Sequence, residues 1–286
     1  MIRSALHALF LFALTALGFV FSTGNALAQA EGGGRNAGIL TAGFDQILDR
    51  GLLKVGVKAD YPPYGFRDEK GEIIGLEVDL ARNLAERMGL EVEFTPVTAS
   101  DRISALQEGR IDLILATMTD RPDRRKAVRI IEPNYYASGT NVLAPDQPGL
   151  GRWRDLADQT VCGIEGAFYN RMMERDYGAR MKTFERTPDV YEALRSGECI
   201  AFVYDDSAII GQLSLDIWQG YGMPLPTINE APWGIGIRHG DPKLAELLGE
   251  TVADWHRSGL ILELERKWGL QETGFALKMH ERYLYR

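Results

Sequence analysis

Ile111-Asp-Leu-Ile-Leu-Ala-Thr-Met-Thr-Asp-Arg-Pro-Asp-Arg124 runs from an apolar segment straight into hydroxyls and guanidiniums. A run of this length, ending in Thr117 and Thr119 and followed by Pro122 at a helix start, is how an α/β strand carries polar groups to its carboxyl edge. That edge is where such sheets bind ligands. Thr117, Thr119 and Arg124 therefore point to a site for a small carboxylate, because the guanidinium fork matches carboxylate geometry and helix-start amides add donors. The alternative is a strand end followed by a solvated, arginine-rich turn.

Outward from this stretch, strands and helices alternate. Leu52 to Asp60 is read as a strand, Leu76 to Met88 as a helix, Leu90 to Val97 as a strand, Asp101 to Glu108 as a helix and Ile111 to Thr117 as a strand, the start of a doubly wound unit. Leu76, Leu80, Leu84 and Met88 form one apolar stripe, leaving Glu77, Arg82, Glu86 and Arg87 for the other faces. After Tyr135-Tyr-Ala-Ser-Gly139 a second unit begins with a strand from Thr140 to Ala144 and the turn-rich Pro145-Asp-Gln-Pro-Gly149. Strands over 160–164, 182–185 and 200–204, with helices over 167–176 and 188–196, repeat the same grammar. Pro232 to Arg238 is read as a further strand and Pro242 to Trp268 as two helices broken at Ser258-Gly259.

The first thirty residues carry one charge, Arg3, before a mostly apolar run from Ala8 to Phe21, and Ala26-Leu-Ala28 and Ala28-Gln-Ala30 offer small residues for cleavage. The run is about 14 residues, short of the roughly 20 needed to span a bilayer, so residues 1–30 are expected to be an export signal. No cysteine at the processing site offers a lipid anchor, and a Gram-negative-type periplasm is the inferred compartment. The formal net charge of −8, falling to −9 without Arg3, argues against nucleic acid as a partner. The two cysteines, Cys162 and Cys199, fall at strand starts in what should be neighbouring strands, and an oxidising compartment favours their pairing. Four scattered histidines lack ligand spacing, so neither a metal nor another cofactor is expected.

Gly51-Leu-Leu-Lys-Val-Gly-Val57, Asp60-Tyr-Pro-Pro-Tyr64, Gly75-Leu-Glu-Val-Asp79, Ala105-Leu-Gln-Glu-Gly-Arg-Ile-Asp112, Thr117-Met-Thr119 with Arg124, and Gly236-Ile-Arg238 follow one another in an order that resembles a family. It is that of the amino-acid-binding type II periplasmic solute-binding proteins, which serve ABC importers. The resemblance spans roughly residues 43 to 272 and leaves the tail, 273–286, outside. It implies a two-lobed α/β clamp, each lobe a mostly parallel sheet flanked by helices. Lobe 1 would comprise 43–138 and 233–272, lobe 2 139–232, and the two crossings would form a hinge that closes over the solute. A monomer that delivers its amino acid to an inner-membrane permease is the expected partner arrangement.

Carried over residue by residue, the resemblance makes Arg124 the clamp on the α-carboxylate, with Thr119 beside it and Thr117 near the α-amino group. Asp205 would take the ammonium, since a buried cation needs a carboxylate; Asp206 is the neighbouring candidate, or the cap of the following helix. Tyr61 would form an aromatic wall, with Tyr64 and Phe66 as less favoured alternatives. Thr98-Ala-Ser-Asp-Arg102 resembles glutamate/aspartate-binding members, and Lys58 stands where such members carry a second cation, so an acidic ligand side chain is expected. Otherwise Arg102 pairs with Asp101 or Glu108 and Lys58 is solvated. Gly166 marks the lobe 2 helix start, but Ala167-Phe168 replaces the hydroxyl residues the family commonly has there, which opens the ligand to a carboxylate other than a standard amino acid. No nucleophile elbow, metalloprotease motif or phosphate loop is present, and no catalytic residue is expected. The enzymatic alternative is a periplasmic cyclohexadienyl dehydratase on the same fold, for which Glu165 is the one cleft-edge acid besides Asp205. A protein-binding accessory, which no small molecule would stabilise, is a third class.

Overall fold

The computed structural model describes residues 43–146, 149–213 and 215–285; the expected export signal lies outside them. In chain order, a helix over 43–50 (α1) precedes β1 (Leu52–Val57), β2 (Asp60–Tyr61), β3 (Gly65–Arg67), β4 (Ile73–Ile74), α2 (Leu76–Met88), β5 (Glu91–Pro96), α3 (Arg102–Gln107), β6 (Leu113–Ile114), α4 (Pro122–Ala127) and β7 (Arg129–Ile130). The chain continues through β8 (Tyr136–Pro145), β9 (Thr160–Ile164), α5 (Tyr169–Tyr177), β10 (Arg180–Phe184), α6 (Thr187–Arg195), β11 (Ala201–Asp205), α7 (Asp206–Leu213), β12 (Tyr221–Gly222) and β13 (Ile228–Trp233). It ends with β14 (Gly236–Ile237), α8 (Pro242–Ser258), α9 (Leu260–Lys267) and α10 (Gly274–Leu284).

Two sheets with flanking helices give the molecule its two lobes. The first runs β5-β1-β6-β14-β7, with β1 parallel to β5 and β6 and with β14 antiparallel to β6 and β7. The second runs β10-β9-β11-β8-β12, with β9 parallel to β10 and β11, and β13 pairs with β8. The long strand β8 joins them. Its first residues, Tyr136 to Ser138, pair antiparallel with Trp233 to Ala231, while Thr140 to Leu143 pair with Asp205 to Phe202. Two antiparallel crossings at one place restrict the lobes to bending about a shared line.

Several strands are shorter than the sequence implies. Within Ile111–Thr117 only Leu113 and Ile114 are laddered; Leu115 N–H still bonds Gly56 O at 2.9 Å, and Thr117, at φ 47°, then turns the chain out of the sheet. β1 likewise stops at Val57, which frees Lys58. The run Pro232–Arg238 is two strands, because Trp233 closes one sheet and Gly236 enters the other, and burial against both keeps Trp233 to Ile237 apolar. The strand expected over 182–185 runs from Arg180 to Phe184; it is a half-exposed edge with no alternation to mark its start. The helices expected over 167–176 and 188–196 begin at Tyr169 and Thr187.

The tail beyond residue 272 is part of the fold. Thr273 Oγ1 accepts the Ala276 N–H at 3.2 Å, capping α10, and Ala276 and Met279 are buried. Glu265 accepts the Thr273 N–H at 3.2 Å and the Tyr136 hydroxyl at 2.8 Å, tying the tail to β8.

Cys162, in mid-β9, and Cys199, in the turn before β11 rather than at a strand start, form a disulfide with Cα atoms 5.7 Å apart. It closes a loop with a sequence separation of 37 residues. On chain entropy, the Cys162→Ala/Cys199→Ala protein is expected to lose about 3–4 kcal/mol of stability in urea denaturation. A midpoint equal to that of the oxidised wild type would contradict this.

Candidate ligand-binding site

Strand ends from both sheets converge on one cavity. Lys58 and Tyr61 reach it from the segment after β1, Arg102 from α3, Thr117 and Thr119 from the turn after β6 and Arg124 from α4. From the second lobe come Asp205, at the end of β11, and Ile164, Ala167, Phe168, Tyr169 and Tyr204. Gly166 does not line the space, but its carbonyl meets Arg124. The enclosed volume is only about 30 Å³, because side chains of the two lobes touch across it.

The cations are buried beyond what their protein partners balance. Arg124, 8% exposed, donates from Nη1 to Thr119 O at 3.0 Å and from Nη2 to Gly166 O at 3.2 Å, both carbonyl dipoles rather than carboxylates. Burial, with neighbouring Arg102 adding to it, pushes the guanidinium down to about 9, which leaves it charged at neutral pH. Arg102 is also pushed down by burial; one Nη donates to Ala116 O, and Nε has no hydrogen-bond partner among the described residues. It is neither on Asp101, which accepts from Thr98 N at 2.7 Å, nor on Glu108, which pairs with Arg110 at 2.8 Å. Lys58 is 2% exposed rather than solvated, and its Nζ lies 2.8 Å from Asp60 Oδ1 at an angle that misses a hydrogen bond.

Two carboxylates answer from behind and opposite. Asp205 accepts the hydroxyls of Tyr61, from the first lobe, and Tyr169, from its own; burial raises it to about 6 against the opposing pull of these hydrogen bonds. Glu77, placed by helical periodicity among the outward faces of α2, is instead fully buried. It accepts the Thr117 N–H at 2.6 Å and the Tyr135 hydroxyl, and burial raises it to about 7. A β-branched residue at positive φ is strained and persists only when its surroundings hold it, so Glu77 is the brace of the Thr117 turn. Glu77, Tyr169 and Tyr204 are among the site's unforeseen members; a carboxylate one residue from an apolar stripe was the signal for the first.

Of the candidate aromatics, Tyr61 alone lines the cavity, with its ring centroid 4.8 Å from that of Tyr204. Tyr64 packs in the core on Trp233 at 5.0 Å, and the half-buried Phe66 lies on Trp268 at 5.7 Å. Asp206 turns to the hinge, accepting from Gly139 N and Ser138 Oγ at 2.8 Å each. Gly166, at φ 73°, lies so near the other lobe that a Cβ would fall 2.8 Å from Ala99 O. Phe168, in the stretch that departs from the family's hydroxyl residues, lies 5.2 Å beneath the Arg121 guanidinium of the first lobe. Glu165 is exposed and off the cavity.

Residues 53–271 match the bacterial extracellular solute-binding proteins, family 3, and the chain belongs to that family. The L-cystine-binding protein TcyJ of Escherichia coli K12 is 26% identical over 232 residues, covering 79% of this chain and 85% of its own. The glutamate/aspartate import solute-binding protein of Salmonella typhimurium LT2 is 25% identical over 271 residues, covering 89% and 87%. The crystal structure of the ancestral amino acid-binding protein AncCDT-1, a precursor of cyclohexadienyl dehydratase, is similar with a TM-score of 0.70 at 29% identity over 78% of this chain and 97% of that one.

Because the folded state holds the Glu77 proton more tightly than the unfolded chain does, its contribution to stability is greatest at acid pH and declines as pH rises from about 4.5 to about 7. Glu77→Gln keeps an acceptor for Thr117 but cannot titrate. Between pH 5 and 8 the stability difference between wild type and Glu77→Gln should change by up to about 3 kcal/mol, the wild type losing ground as pH rises, in urea titrations at each pH. A constant difference would place the carboxylate's titration elsewhere.

Proposed function

We propose that this protein binds a dicarboxylic amino acid, glutamate or aspartate, between its lobes in the periplasm and presents it to an inner-membrane ABC importer. The observation that carries this is the charge at the cavity: Lys58, Arg102 and Arg124 face one space, opposite a single lining carboxylate, Asp205. Arg124 with Thr119 takes the α-carboxylate, Asp205 and Thr117 the ammonium, and Arg102 with Lys58 the side-chain carboxylate, while Tyr61 covers the carbon chain and the amides after Gly166 face the anion. The ammonium displaces the tyrosine hydroxyls that Asp205 now accepts. A neutral isostere would leave a buried cation unpaired, which is the basis of selection.

The cavity is too small for any amino acid, so the lobes, 43–138 with 233–272 and 139–232, part and close about the β8 and β13 crossings. Differential affinity for the closed form drives that motion. We read the role as binding rather than chemistry: Glu165 stands outside the cavity, and Asp205, the acid that lines it, is given to the ammonium. The family and the amino-acid-binding relatives support the importer assignment.

A thermal-shift panel of glutamate, aspartate, glutamine, arginine, cystine and prephenate tests the assignment, since a ligand at 100 times its Kd adds about 2.7 kcal/mol. Tight binding of arginine with no response to glutamate or aspartate would overturn it. Arg124→Ala is expected to abolish binding by calorimetry while leaving the fold intact, because it strands a carboxylate in a desolvated cleft at a cost of several kcal/mol. Arg102→Met should flatten the preference for glutamate over glutamine; a residue that only braces α3 would change stability and leave that ratio alone. Glutamate affinity should also fall as pH drops below about 6, where Asp205 becomes protonated and no longer meets the ammonium.

A further inference from the structure

Asp60 stands beside the cavity without lining it, and its two carboxylate oxygens face different lobes. Oδ1 lies 2.8 Å from Lys58 Nζ, on its own side of the cleft. Oδ2 accepts the backbone N–H of Thr187, in the other lobe, at 3.0 Å. Thr187 is the first residue of the nine-residue helix α6, and that helix has no side-chain cap of its own. The residue at its N-cap is Arg186, a cation at the positive end of the helix dipole, and its guanidinium turns back to Asp189 at 2.7 and 3.0 Å. The first amides of a helix have no partners within it, and an anion there is favoured both as acceptor and by the dipole. Thr187 is fully buried beneath the contact and Asp60 is about one-fifth exposed, so water competes weakly for the bond.

We propose that Asp60 is an inter-lobe latch: its carboxylate caps α6 of the opposite lobe when the cleft closes, and through its other oxygen it holds Lys58 against the bound solute. The proposal rests on closure of the lobes over an amino acid, but not on which amino acid closes them. Parting the lobes breaks the Thr187 bond and exposes the uncapped start of α6, so the latch stabilises the closed form alone. Lys58, released from Asp60, would then be solvated. The latch and the selection of an acidic side chain therefore share one cation.

Dissociation rates measured by stopped flow on the mature protein test this, using whichever of L-glutamate, L-aspartate, L-glutamine, L-arginine and L-cystine binds the wild type. Asp60→Ala is expected to release it about tenfold faster, in the range that loss of a helix cap gives, with the association rate little changed. Asp60→Asn keeps an oxygen for the Thr187 N–H and should recover most of the slow release. The urea midpoint of the ligand-free protein should match the wild type in both variants. Unchanged dissociation in Asp60→Ala would overturn the latch, as would an equal loss of stability with and without ligand, which would make Asp60 a brace of its own lobe. The tenfold effect seen with an amino acid other than glutamate or aspartate would uphold the latch and reject the acidic-ligand assignment.

Discussion

A guanidinium taken out of water must be met by an anion or by enough dipoles to replace its hydration. Arg124 is met by two carbonyl oxygens, one from each lobe. Arg102 is met by one carbonyl and leaves Nε without a hydrogen-bond partner among the described residues. The arrangement of the whole first lobe serves to hold these groups in place at that cost: β6 ends after two residues, Thr117 takes a strained conformation, and Glu77 is buried at the back of the turn to hold it there. These cations gather at the place where strand ends and a helix start converge.

The crossings between the lobes set a carboxylate of one sheet opposite the cations of the other. β8 pairs with β13 at one end and β11 at the other, so Asp205 is held by the second sheet. Trp233 anchors the crossing, with Tyr64 and Tyr136 packed at ring distances of 5.0 and 5.2 Å. Asp206 binds Ser138 and Gly139 in β8, while Asp205 beside it faces the cleft. Adjacent acids thus serve separate ends, one holding the bend and one crossing it. The tail joins the same device, since Glu265 links Tyr136 in β8 to Thr273 at the start of α10.

Much of this was legible along the chain because the signals are local. Apolar runs ending in hydroxyls mark strand ends, the stripe Leu76, Leu80, Leu84 and Met88 marks a helix, and two cysteines in an oxidising compartment mark a disulfide. Seven of the eight residues singled out as a binding site line one cavity, and the eighth, Gly166, borders it through its carbonyl. Glu77 escaped because periodicity assigns faces by the average neighbour, and a lone acid turned inward is explained only by the Thr117 amide 40 residues away. Tyr169 escaped because its hydroxyl has no role until Asp205 is opposite it.

By itself, then, the sequence determined the alternation of elements, the two α/β units and the residue types collected at strand ends, since each depends on contacts within a turn or a strand. The tertiary structure decided where strands stop, which of Asp205 and Asp206 faces the cleft, and which of Tyr61, Tyr64 and Phe66 does so. It also decided that Asp60 caps a helix 127 residues further on. These depend on which surfaces meet when the lobes close, and a desolvated charge or an uncapped helix amide finds its partner only across that interface.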